Sequence, residues 1–201
     1  MARPRSESAR RAAIDATVAL LLDSGVEGVT LEEVAARSGV AKSTLYRHFG
    51  TKEELVATAA QECVVELPTP DTGNLEQDLL AIFGHYQRSE EKEQVHRLFP
   101  VLIDAGMRDP QMRGVLERLI EERSRPIRTV LRLAAARGEV SPDLDLDVAV
   151  ATIVGPLTYR RLIERRELTP EFKEQVLRNA VAALRATAAA PPGRRRASSA
   201  G

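Results

Sequence analysis

Eight residues near the start of the chain carry groups that could grip a polyanion: Thr30, Lys42, Ser43, Thr44, Tyr46, Arg47, His48 and Lys52. All but Thr30 lie in the stretch GVAKSTLYRHFGTKEEL, residues 39–55. Ammonium, guanidinium, hydroxyl and imidazole groups all donate hydrogen bonds to phosphate oxygens and to base edges. A comparable set for catalysis is missing. The three His, at 48, 85 and 96, are too scattered for a helical metal pair, and Cys63 has no second Cys beside it. No G-x-S-x-G, G-x-G-x-x-G or P-loop pattern occurs. The sequence reads as a binding protein, not an enzyme, with neither cofactor nor metal.

The donors need a scaffold, and the spacing supplies one. Ile14, Val18, Leu21 and Leu22 recur on one helical face, and Gly25 stops that helix. In VTLEEV, Thr30 and Glu33 form a capping box, and Val29 with Val34 a hydrophobic staple. Gly39 ends this second helix after about two turns, and a third runs from about Lys42 to His48. Two short helices joined by SGVA and laid on a preceding helix are a helix-turn-helix. Val34, Ala35, Val40 and Leu45 would be its apolar contacts, with Gly39 free to take a positive φ. The third helix then turns Lys42, Ser43, Thr44 and Arg47 outward, toward a major groove about 12 Å wide. Thr51 and Glu54 start a fourth helix with a second capping box, continuing to about Glu66.

With those residues placed, TLEEVAARSGVAKSTLYRHFGTKEELV resembles the DNA-binding segment of the TetR family of transcriptional repressors, nearly position for position. The likeness covers about residues 8–58. It implies a repressor-type homodimer on a palindromic operator in double-stranded DNA, with a small molecule bound by the C-terminal domain. It further implies that Thr30, Lys42, Ser43, Thr44, Tyr46, His48 and Lys52 sit at or near DNA, and that Leu45 and Phe49 are core. One position departs from the pattern: Ala41 stands where a Ser or Thr commonly caps the recognition helix.

The rest of the chain also reads as helix, giving an all-α protein of about nine helices. Five blocks follow the break PTPDTGN: Asn74 to about Gln87, about Glu90 to Ala105, Pro110 to Ala136 with a kink or split at Pro126, about Asp145 to Arg166, and Pro170 to Ala188. The domain expectation is 8–52 for the helix-turn-helix domain (motif about 30–49), 53–190 for ligand binding and dimerisation, and 191–201 for a disordered Arg-containing tail. Phe83, Tyr86, His96, Phe99, Met107, Met112 and Leu116 are the pocket candidates, which suits a small, largely apolar effector. Val150, Ile153, Val154, Leu157 and Ile163, with Val176, Leu177, Ala180, Val181 and Leu184, are the candidate dimer interface. Two helices from each subunit would form a four-helix bundle.

Charge adds a weak signal. The chain has 29 basic and 29 acidic residues, but residues 1–52 hold eight basic groups against six acidic. No run resembles a membrane span or a secretory leader, so a cytoplasmic protein is expected. The alternative to a repressor is a helical interaction module, or a non-repressing regulator, on the same fold.

Overall fold

The structure is a computed structural model that describes residues 3–63, 67–88 and 92–189, with side chains described at 7–63, 67–84 and 97–187. The tail 191–201 and the end expected for helix 4 near Glu66 lie outside the described residues, as do the side chains of Tyr86 and His96. Among the described residues every regular element is helical, as the sequence indicates. The helices are α1 (Arg3–Ser24), α2 (Leu31–Ser38), α3 (Lys42–Phe49), α4 (Lys52–Glu62), α5 (Leu75–Arg88), α6 (Lys92–Arg108), α7 (Pro110–Ala136), α8 (Leu146–Thr158) and α9 (Pro170–Ala189).

The starts of these helices follow from local chemistry. Thr30 Oγ1 accepts from Glu33 N at 3.1 Å, and Thr51 Oγ1 from Glu54 N at 3.1 Å. Asn74 Oδ1 accepts from Gln77 N at 3.1 Å, and Asp145 caps α8 through the N–H groups of Asp147 and Val148. Each side-chain oxygen satisfies a donor that the first helical turn leaves open.

Two expectations about helix continuity are sharpened. Of the kink or split expected at Pro126 the split does not occur: α7 runs through as one helix, and the proline is buried. α8 does not continue to Arg166. It gives way at Tyr159–Ile163 to a π-turn, closed by Glu164 N donating to Tyr159 O at 3.1 Å. Arg165 follows with φ of 53°, a left-handed value that ends the helix.

Packing groups the chain into two units, one formed from residues 1–66 with 86–123, the other from 67–85 with 124–201. They do not follow the sequential division at residue 52, because α6 and the start of α7 share a core with α1 to α4. In the first unit Ile14, Val18 and Leu21 of α1 share one core with Val34, Leu45 and Phe49, with Leu55, Val56 and Ala59 of α4, and with Leu98, Leu102, Met112 and Val115. In the second, Leu75, Leu79 and Ile82 of α5 share a core with Val130 and Leu131 of α7, Ile153 of α8, and Leu177 and Val181 of α9.

Candidate nucleic-acid interface

α3 has one anchored face and one open face. Leu45 and Phe49, four residues apart, are buried in the first unit, and Val40 and Ala35 pack against the same core. Gly39 is exposed and not itself a core residue. It adopts φ of 70°, and its N–H donates to Ala35 O at 3.0 Å to close α2. Space is no constraint there, since a Cβ would meet nothing within 4 Å; the positive φ is what favours Gly.

The opposite face presents Lys42, Ser43 and Arg47 to solvent, with Thr44 and His48 half-buried beside them. Tyr46 is 53% exposed, unusual for a large aromatic side chain, and leaves its hydroxyl within reach of a partner. The His48 ring packs tilted on Phe49, centroids 6.1 Å apart. Thr30 is at the N-cap of α2, and Lys52 is the first residue of α4, so both stand at helix starts whose free N–H groups favour anions. Thus α2, α3 and the first turn of α4 bring all eight predicted donors to one compact unit. Ala41 is the N-cap of α3 and makes no side-chain cap bond, as its methyl requires.

Two basic groups here are paired within the chain. Lys42 Nζ lies 2.8 Å from Glu32 Oε1, and Arg37 Nη1 lies 2.8 Å from Asp23 Oδ2. The sequence reading missed Glu32, whose ten-residue separation from Lys42 has no periodic signal.

The pocket candidates with described side chains differ in their surroundings. Met107 is 75% exposed, Met112 is buried in the core of the first unit with Leu116 packed against it, and Phe83 belongs to the core of the second unit. Among the candidates with described side chains, Phe99 lines a cleft in the first unit. Its other walls are Ala60 and Cys63 of α4, Leu98 and Leu102 of α6, and Leu119 and Arg123 of α7. Free space there is about 10 Å³, the size of about one water. Residues such as Leu98 and Leu119 read as plain core in sequence, and only the meeting of three helices marks them as a wall.

The interface candidates also need correction. Ile153, Leu157, Leu177, Ala180, Val181 and Leu184 are buried within the chain itself and offer no surface to a second copy. The apolar faces of α8 and α9 are spent on each other and on α5 and α7. Val150, Val154 and Val176 are partly covered, and Ile163 is 69% exposed. Val148 and Tyr159, which the sequence reading missed, are also exposed, at 61% and 56%.

A short helix pair with a bared polar face, braced by a longer helix, defines a helix-turn-helix DNA-binding protein. Comparison with known proteins agrees. Residues 13–59 match the model for bacterial regulatory proteins of the tetR family, and residues 69–180 match the tetracyclin repressor-like C-terminal domain. The chain belongs to the TetR family of transcriptional regulators, whose members bind DNA, act as dimers and are not enzymes. It is 29% identical over 189 residues to the uncharacterized HTH-type transcriptional regulator YdeS of Bacillus subtilis, covering 93% of this chain and 95% of that one. It is 30% identical over 159 residues to the DNA-binding transcriptional repressor TetR of Mycobacteroides abscessus, covering 78% and 83%. Its fold resembles that of a TetR-family transcriptional regulator from Rhodococcus sp., with a TM-score of 0.70 at 21% identity over 89% of this chain and 98% of that one. Among the described residues no helix is long and apolar enough to cross a membrane.

Proposed function

We propose that this regulator is a homodimeric repressor, released from a palindromic operator when a small molecule enters its cleft, and that it works in the cytoplasm. The observation that carries the reading is α3: Leu45 and Phe49 fix it in the core while Lys42, Ser43, Tyr46 and Arg47 stand open. In each subunit Lys42, Ser43, Thr44 and Arg47 would meet base edges, and Thr30, Tyr46, His48 and Lys52 phosphates. Two such helices would enter successive major grooves, roughly 34–36 Å apart. The repressor named TetR in Mycobacteroides abscessus supports the sign of regulation.

The cleft supports the switch. Ala60 and Cys63 line it from the end of α4, the helix that Lys52 begins at the candidate DNA surface. An effector larger than about one water must push its walls apart. The end of α4 is also where Glu62 pairs with Arg10 of α1 and Gln61 Nε2 donates to Glu122 of α7 at 3.0 Å. Displacing that end strains both links, so an effector that binds the displaced form better shifts the population away from the DNA-binding form. The apolar lining, with one Arg, suits an apolar molecule bearing a polar or anionic group.

Footprinting on the DNA upstream of the protein's own gene, and on neighbouring promoters, tests the reading. A protected palindrome is expected. Lys42→Ala and Tyr46→Ala should each weaken binding by about tenfold, and Lys42→Ala, which removes a charge, should also lower the salt slope by about one per subunit. Affinity that survives both substitutions at moderate salt would favour the alternative, a helical interaction module on the same fold.

A further inference from the structure

Glu32 is the second residue of α2, in the turn whose N–H groups point out of the helix. Its carboxylate accepts from Lys42 Nζ at 2.8 Å. The Lys42 ammonium and the residue's own backbone N–H together hold its carboxyl below the ordinary carboxylate range. Both side chains are exposed, Lys42 by 51% and Glu32 by 59%, so the pair stands in solvent on the candidate DNA surface. One carboxylate therefore occupies a donor suited to DNA, the cation on the recognition helix, and does so beside the open N–H groups that start the helix before it. The adjacent Glu33 differs. Its backbone N–H serves the Thr30 cap, and its side chain has no ion-pair partner among the described residues.

We propose that Glu32 is an internal competitor for DNA, a carboxylate that stands in for a DNA acceptor on Lys42 and must be displaced when duplex binds. It rests on the reading that Lys42 meets DNA. The competitor lowers affinity for duplex of any sequence, because it neutralises an ammonium that the polyanion attracts whatever base edge that ammonium meets. The outward groups of Ser43, Thr44 and Arg47 are left open to base edges. Stable binding then requires their sequence-dependent bonds: Glu32 lowers operator and bulk affinity by the same factor, leaving their ratio unchanged but holding occupancy of bulk DNA down.

The probe is a mixed-sequence duplex of about 30 bp, titrated by fluorescence anisotropy at about 50 mM KCl. Glu32→Gln should tighten binding about threefold per subunit, hence about tenfold for a dimer, from loss of the exposed pair and of a charge facing phosphate. Glu33→Gln removes the same formal charge one residue away and should gain less than about twofold. In a Lys42→Met background, Glu32→Gln should gain no more than Glu33→Gln does. Thermal unfolding checks that each variant is folded. The proposal is overturned if Glu32→Gln weakens binding, if it matches Glu33→Gln, or if its gain persists without Lys42. Failure of the underlying reading shows separately: Lys42→Met alone would then leave affinity unchanged.

Discussion

Ala41 occupies a cap position with nothing to cap with. Its backbone is extended, φ −61° and ψ 138°, the conformation an N-cap needs, and Thr44 N donates to its carbonyl at 2.9 Å. Thr30 and Thr51, the caps of α2 and α4, each accept a hydrogen bond from the N–H three residues on. Ala41→Ser should therefore stabilise the protein by about 1 kcal/mol, raising Tm by about 3 °C in a thermal melt. An unchanged Tm would mean that the new hydroxyl stays with water. This vacancy was legible in the sequence, because a cap depends on one residue and its next three neighbours. The Glu32–Lys42 pair was not legible, since it depends on the angle at which α2 meets α3.

At the scale of elements, an ionic clasp joins α5, α7 and α9. Arg137, just past the end of α7, donates through Nε and Nη2 to Glu139 Oε1 at 2.9 and 2.8 Å, and through Nη1 to Asp71 Oδ1 at 2.7 Å. Glu139 Oε2 accepts from Leu75 N at the start of α5, at 3.1 Å, and from Arg185 of α9 at 2.8 Å. Burial alone would push the Glu139 carboxyl up, but Leu75 N–H, Arg137 and Arg185 bring it below its ordinary value near 4.5. A carboxyl depressed in the folded state stabilises fully above its unfolded value and loses that contribution as pH falls through the lower folded one. Glu139→Gln should thus lower Tm by a few degrees near pH 7, with the gap to wild type closing as pH drops below about 4.5. A gap independent of pH would assign the loss to packing and not to charge. Residues 137–145 fall between two helical blocks of the sequence, but their clasp was not legible there, because its partners are more than forty residues away in both directions. Helix starts with local caps were legible for the opposite reason. The π-turn at Tyr159 and the unbroken α7 at Pro126 were not, because tertiary packing decides both.

For the molecule as a whole, a dimer needs a surface for a second copy, and we infer that α8 supplies it. Six of the ten candidate interface residues are buried inside the chain, so the contact must use what is left. Val148, Ala151, Gly155, Tyr159 and Ile163 are exposed and recur every three or four residues. An apolar stripe of this kind marks an interaction surface. Gly155 lies at its middle, where a Cβ would meet nothing within 4 Å. A side chain there is free in the lone chain, and replacing a helical Gly gains about 0.5–1 kcal/mol of helix propensity. Gly155→Arg should therefore fold at least as well as wild type yet sediment as a monomer, because a long cation would block close approach of two α8 helices. Its DNA binding should change in a specific way. If about four phosphates are neutralised per subunit, the dimer's log affinity falls against log salt with a slope near −7, and a monomer's with about half that. A variant that stays dimeric and keeps the full slope would move the contact to another face. A monomer that keeps the full slope would show that one subunit makes all of the phosphate contacts.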